Sequence, residues 1–369
     1  MPVPVPPATN PAGTPRTPGG TEVLFVEPHS GGRVSGGYLY NQRIAASAPQ
    51  IRRCPVGIDT LERDLEQLAP ADGALVLLDS LFLTAECAAP FARLKSRTGS
   101  SVGVLLHAFP SFIARGQQRE QLALSLPLQP TPVELQLLEQ LDLLVTPGPY
   151  AARLLAECGS GIARVVCPPG VDPPAAPPPA RSSEDAIQFI SLGSVTPLKG
   201  LQDALDALSA MSTRAWRWTI VGSLDVAPQF VADLRRRITG YRLEPNVLLA
   251  GERDHSAALA ALRSSDVLLI SSFTENHPLV ALEALAAGVP VAGYAVGGLP
   301  DIIAQRETGL LAPLLDVPAL SAACERLVQD PIERQRLARN AARAATTLPS
   351  WADAGRQFVE NVRVATVSP

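Results

Sequence analysis

The sequence predicts an α/β protein of two doubly wound units facing each other across a cleft. Short, continuously apolar runs recur along the chain, separated by stretches with helical periodicity, a pattern that indicates parallel sheets covered on both faces. The alternation occurs twice, on either side of a proline-rich break at 171–186. The 369 residues are also too many for one ordinary domain and suit two of about 150–180 residues.

Residues 1–20 are rich in Pro, Thr and Gly with almost nothing to bury, and read as a disordered tail. The first unit, 21–170, opens with a strand at 22–26. A loop with Gly31, Gly32, Gly36 and Gly37 leads into a helix from about residue 38. Further strands are expected at 74–78, 102–106, 141–145 and 165–167, with helical periodicity at 134–141. Prolines crowd 168–179, and because proline fixes φ they mark a stiff linker, 171–186. The second unit, 187–348, has strand patterns at 187–190, 218–221, 247–249, 267–270 and 289–292. Helices fit 201–210, 229–238, 256–264, 279–287 and 319–328. A final helix at 351–362 closes the chain within 349–369.

Lys and Arg number 31 against 35 Asp and Glu, a net charge of −4 that offers no basic face for a nucleic acid. The five cysteines are odd in number and form no C-x-x-C pair, so neither a disulfide framework nor a zinc site is expected. No apolar run reaches the roughly 18 residues of a membrane span, and no charged-then-apolar leader opens the chain. The expectation is a soluble, cytoplasmic protein with no integral membrane segment.

Ligands of such sheets bind beyond the carboxyl ends of the strands, and three loops of the second half lie there. The loop 193–200 (GSVTPLKG) places Lys199 just before a helix, where a cation and free N–H groups suit a diphosphate. Alone, it reads equally as a solvated lysine in a turn. The segment 275–283 (ENHPLVALE) puts Pro278 at the first helical position, His277 as its cap, and the N–H groups of Leu279 and Val280 at the helix mouth. Glu275 and Glu283 are carboxylates suited to sugar hydroxyls, or else ordinary surface acids. The segment 296–303 (VGGLPDII) has paired glycines that permit close backbone approach to a ligand, or form a plain turn. The approach to a nucleophile elbow at 99–103 precedes a strand instead of following one, and the G-x-G at 159–161 continues into Arg164 and a strand. A serine hydrolase and a dinucleotide dehydrogenase are therefore excluded. His29, His255 and His277 lack metal-ligand spacing.

Together and in this order, these pieces resemble the nucleotide-binding domain of the retaining glycosyltransferases of family four, the group 1 glycosyltransferases. The resemblance rests on Gly193, Pro197, Lys199 and Gly200, on Val221-Gly222-Ser223, on 249–251 (LAG), on Glu275 with Glu283 and the run to Val291, on Gly297-Gly298, and on 307–313 (ETGLLAP). It implies the GT-B fold, with two Rossmann-like domains, and transfer of a hexosyl group from a nucleotide-diphosphate sugar, with a UDP or GDP carrier, to an acceptor hydroxyl with retention of configuration. Lys199 would then hold the donor diphosphate, Glu275 the transferred sugar and Glu283 the ribose. The backbone from Asn276 through His277 and Pro278 to Leu279 and Val280 would receive sugar hydroxyls and diphosphate. Ser194 stands where many members carry Arg, and 276–278 (NHP) replaces a Gly-rich aromatic loop, which leaves the sugar open.

In the first half the resemblance is looser. It implies that Gly36 and Gly37 lie against donor phosphates and that His107 lines the cleft near the reacting sugar. Alone, His107 and Asp79 read as structural residues at strand ends. It also implies that the last helix packs back on the first domain. With no Asp-x-Asp pair (the nearest is Asp203 with Asp206), the expectation is a metal-independent enzyme with no cofactor, in which the nucleotide sugar is a co-substrate. A small polar acceptor is favoured over a lipid, since no basic amphipathic helix is evident. The other readings are a sugar-nucleotide-binding protein without turnover and a GT-B isomerase or phosphorylase.

Overall fold

The computed structural model describes residues 22–29, 35–172 and 186–367. The expected tail, most of the expected linker, and Gly31 and Gly32 lie outside the described residues. The first sheet contains β1 (Val23–Pro28), β2 (Ile51–Val56), β3 (Leu75–Asp79), β4 (Ser101–Leu105), β5 (Leu143–Thr146) and β6 (Arg164–Val166), in the order β2-β1-β3-β4-β5-β6. The second contains β7 (Ile187–Leu192), β8 (Trp216–Val221), β9 (Val247–Gly251), β10 (Val267–Ile270), β11 (Val291–Tyr294) and β12 (Gly309–Ala312), in the order β12-β11-β10-β7-β8-β9. Every pairing is parallel.

Each sheet is buried on both faces, which is why its central strands are mostly apolar. Along β1, Leu24 and Val26 enter one core while Val23 and Phe25 enter the other, as the two-residue period of a strand requires. The chain winds outward from β1 to β2, then returns to the other side of β1 as β3. It does the same from β7 through β9 to β10. Where the order reverses, the loops at the carboxyl ends diverge and leave a crevice. The two crevices are thus fixed between β1 and β3 and between β7 and β10.

Two strands are not among those expected from the sequence. β2 (IRRCPV) carries Arg52, Arg53 and Pro55, and β12 (GLLA) is four residues long. Both are edge strands, where one side of the ladder is unpaired and proline is tolerated. β11 begins after Pro290 rather than at Val289, since proline has no N–H to give a ladder. All five cysteines are free thiols.

The helix Trp351–Val367 returns to the first sheet. Phe358 is fully buried and meets Phe25 edge-on, with ring centroids 5.3 Å apart. Ala354 and Val362 flank it in the core that also holds Tyr40 and Ile44. Gly170 admits the start of this helix: a Cβ there would lie 2.3 Å from the Trp351 nitrogen. Phe358→Ala should therefore cost about 3–5 kcal/mol of stability. Urea denaturation checks this, and a loss below about 1 kcal/mol would show that the helix is not part of the first core.

Candidate functional site

In the second crevice, the chain leaves β7 through Gly193, makes the short turn Pro197–Lys199, and enters the helix Leu201–Ser209 at Gly200. Gly200 has φ +59°, and a Cβ there would lie 2.0 Å from the Ser271 carbonyl oxygen. Only glycine allows this approach. It lets Ser271 Oγ donate to the Lys199 carbonyl at 2.9 Å and Phe273 N–H donate to the Leu198 carbonyl at 2.9 Å. The loops after β7 and β10 are thus tied together. Across them Lys199 Nζ meets Glu275 Oε1 at 2.8 Å, with both side chains largely buried. The pair lines a small, half-open pocket with Gly193, Ser271, Ser272 and Val280. Gly222 packs against this loop, where a Cβ would lie 2.0 Å from the Gly193 carbonyl oxygen. Ser194 lies half-buried on the same loop.

The helix Leu279–Ala287 has the range expected from periodicity, but not the expected cap. Pro278, not His277, is its N-cap, with φ −67° and ψ 108°. The Pro278 carbonyl accepts from Ala281 N–H, and the first two N–H groups, of Leu279 and Val280, face the helix mouth. The Leu279 side chain is buried in a separate apolar cluster with Val171 and Leu282, so only its backbone is offered there. His277 instead packs on the first domain. A Cβ on Gly148 would lie 2.1 Å from its Nδ1. That nitrogen is buried without a hydrogen-bond partner, and burial pushes the imidazolium down to about 4. Asn276 Nδ2 donates to the Leu106 carbonyl across the cleft at 2.7 Å. The paired glycines serve this loop rather than a ligand: Gly298 N–H donates to the Glu275 carbonyl at 2.9 Å, and a Cβ on Gly297 would lie 1.7 Å from that oxygen.

The bond from Asn276, the residue after Glu275, ties this loop to the segment that carries His107. The His107 ring contacts Tyr40 edge-on at 5.4 Å, its Nε2 is 2.8 Å from Asn41 Oδ1, and Gly37 lies beneath it, where a Cβ would be 3.0 Å from the ring. Gly36 and Gly37 open the helix Gly36–Ser47, capped by Ser35. Asp79 serves structure: it accepts from Leu81 N–H and caps the turn Ser80–Phe82. Burial pushes its carboxyl up to about 7.

Glu283 does not join Lys199 and Glu275. It lies 3.5 Å from His255 Nε2 and lines a second cavity with Val171, Asp172, Leu259 and Arg263. Sequence reasoning missed Glu27, Asn41 and the cleft-spanning pairs Arg119–Asp203, at 2.7 Å, and Arg153–Asp301, at 2.9 Å. The one available signal was an acid, Glu27, inside an otherwise apolar strand.

Residues 174–344 match the family glycosyl transferases group 1. The matched stretch takes in most of the second sheet's domain, a little under half of the chain. The glycogen synthase of Mycobacterium tuberculosis is 29% identical over 223 residues, 59% of this chain and 53% of that protein. The D-inositol 3-phosphate glycosyltransferase of Corynebacterium glutamicum is 33% identical over 172 residues, 45% of this chain and 41% of that protein. The chain thus spans about half the length of the curated relatives it matches. Among solved structures, sucrose-phosphate synthase from Thermosynechococcus elongatus superposes with TM-score 0.74 at 20% identity, covering 93% of this chain and 98% of that one. Anabaena HepE in complex with UDP-glucose gives 0.72 at 18% identity, covering 93% and 100%. These likenesses show the fold, which is GT-B. Among the described residues, no helix is long and apolar enough to cross a membrane.

Burial pushes the Glu283 carboxyl up from the ordinary 4.5 to about 7, with the Asp172 carboxylate adding to the shift. The folded state then binds more protons than the unfolded one across that window, so this group's contribution to stability declines as pH rises from about 4.5 to 7. The stability of Glu283→Gln relative to the native chain should rise over the same window, by about 3 kcal/mol at most. Chemical denaturation of both proteins at pH 4.5 and 8 checks this, and a difference independent of pH would refute it.

Proposed function

We propose that this protein is a retaining, metal-independent family four glycosyltransferase that moves a hexosyl group from a nucleotide-diphosphate sugar to an acceptor hydroxyl. The observation that carries the reading is the Lys199–Glu275 pair in the crevice between β7 and β10, bonded through the next residue, Asn276, to the strand end that holds His107. Lys199 Nζ and the N–H groups of Leu279 and Val280 supply positive charge where a leaving diphosphate develops negative charge. Glu275 accepts from hydroxyls of the transferred sugar, and His107 lines the opposite wall. With Ser194 in place of a cation, Lys199 carries the phosphate charge from its own loop.

The HepE neighbour is described with UDP-glucose, which supports a UDP-sugar as donor over a GDP-sugar. Relatives named for transfer to inositol 3-phosphate and to malate support a small polar acceptor over a lipid. Glu283 is assigned to the nucleotide ribose, with His255 beside it. The absence of an Asp-x-Asp motif supports charge stabilisation by protein groups, without a cofactor. The mild net charge of −4 supports a protein with no nucleic-acid partner, and the five free cysteines support a reducing, cytoplasmic setting.

Product formation from UDP-glucose with a panel of small polyols and sugar phosphates tests the reaction. An α-glycoside formed in the presence of EDTA is expected. An inverted product, or activity that chelation abolishes and magnesium restores, overturns the corresponding element. Lys199→Ala should weaken UDP-glucose by about 10- to 150-fold, since charged hydrogen bonds are worth about 1.5–3 kcal/mol. Calorimetry reads this directly, and an unchanged dissociation constant contradicts the assignment.

A further inference from the structure

A buried hydrogen-bond relay runs through the first domain to His107. It begins at Arg53 on β2, which donates to Glu27 Oε1 on β1 at 2.6 Å from Nε and 2.5 Å from Nη2. The other carboxylate oxygen, Oε2, accepts from Asn41 Nδ2 at 2.7 Å. Asn41 Oδ1 then meets His107 Nε2 at 2.8 Å. Glu27 and Asn41 are each 1% exposed, so water does not compete for these bonds.

The directions of the bonds are set from one end. A guanidinium only donates, and a carboxylate paired with it only accepts. Asn41 must therefore turn its NH2 group toward Glu27 and its carbonyl oxygen toward His107. An oxygen acceptor at Nε2 makes that nitrogen the protonated one, and Nδ1 keeps its lone pair. Burial pushes the His107 imidazolium down to about 4, so the ring is neutral near pH 7. Nδ1 has no protein hydrogen-bond partner among the described residues. The ring cannot easily turn. Tyr40 packs on it and Gly37 lies beneath it, while the backbone N–H of His107 anchors the main chain by donating to Ser80 Oγ at 3.1 Å.

We propose that Glu27 and Asn41 are positioning residues that fix His107 as the Nε2–H tautomer, so that Nδ1 presents an acceptor to a hydroxyl of the donor sugar in the cleft. The proposal rests on reading the cleft as a sugar-nucleotide site. It deepens that reading by fixing which partner His107 selects, a group that donates a hydrogen bond.

Glu27→Gln tests it, because the change is nearly isosteric and inverts the relay. The carbonyl of the introduced amide still satisfies Arg53, so the amide NH2 group faces Asn41. Asn41 then turns its own NH2 group toward His107 Nε2, and the ring proton moves to Nδ1. Long-range proton–nitrogen NMR of the full chain with 15N-labelled histidine should show His107 protonated at Nε2 in the native protein and at Nδ1 in Glu27→Gln. Calorimetry should show UDP-glucose binding weakened about tenfold or more in the variant, with UDP binding unchanged, since UDP lacks the sugar hydroxyls. A native ring protonated at Nδ1 overturns the relay without recourse to any variant, as does a ring unchanged in Glu27→Gln. A switched tautomer with UDP-glucose and UDP affected alike overturns the role given to Nδ1. A switched tautomer in a protein that binds neither ligand overturns the donor-site reading, and the role of Nδ1 falls with it.

Discussion

Lys199 and Glu275 stand 76 residues apart in sequence, and their contact depends on strand order. β10 pairs with β7, and the chain has already gone out through β8 and β9 before it returns. The loops leaving the two neighbouring strands therefore diverge over a crevice, and each brings one charge into it. Gly200 allows the loops to touch, and the bonds from Ser271 and Phe273 hold them in register. A largely buried lysine and glutamate each lose hydration, and each requires a partner of opposite character. Here each supplies the other. A diphosphate and a hydroxylated sugar entering the same space would present Lys199 with further negative charge and Glu275 with hydrogen-bond donors.

The first domain completes this crevice through contacts that cross the cleft. Asn276 reaches the Leu106 carbonyl, and His277 packs on Gly148. A Cβ on Gly116 would lie 2.1 Å from Leu198, so the first domain also presses on the turn that carries Lys199. Farther out, Arg119 donates to the buried carboxylate of Asp203, which also accepts from Tyr294 Oη at 2.9 Å. Separating the domains would remove the cation from that carboxylate, which is costly for a group out of water. The alignment of His107 with Glu275 and the pairing of Asp203 are thus favoured by the same arrangement.

The fold was largely legible because parallel sheets buried on both faces leave apolar runs that no surface pattern imitates. β2 was missed for the converse reason: as an edge strand it need bury only part of its surface, and Arg52, Arg53 and Pro55 break its apolar run. Lys199 and Glu275 were legible because a cation before a helix and an acid after a strand mark loops at the carboxyl ends of the sheet. The cap at Pro278 was off by one residue, and His277 faces the first domain, because proline's φ suits either the N-cap or the first helical position and only packing across the cleft decides. Glu283 was read as a ribose contact from the resemblance. Its neighbours, His255, Asp172 and Arg43, arrive from three other segments that no local pattern connects to it. Asn41 and Glu27 carry no motif, and their bearing on His107 exists only once β1, the helix Gly36–Ser47 and β4 are side by side.

A crystal structure of the protein with UDP-glucose tests the central claim most directly. The account predicts the diphosphate within hydrogen-bond distance of Lys199 Nζ and the N–H groups of Leu279 and Val280, with the glucose between Glu275 and His107. A nucleotide bound outside the crevice between β7 and β10, or a diphosphate out of reach of Lys199, would contradict it.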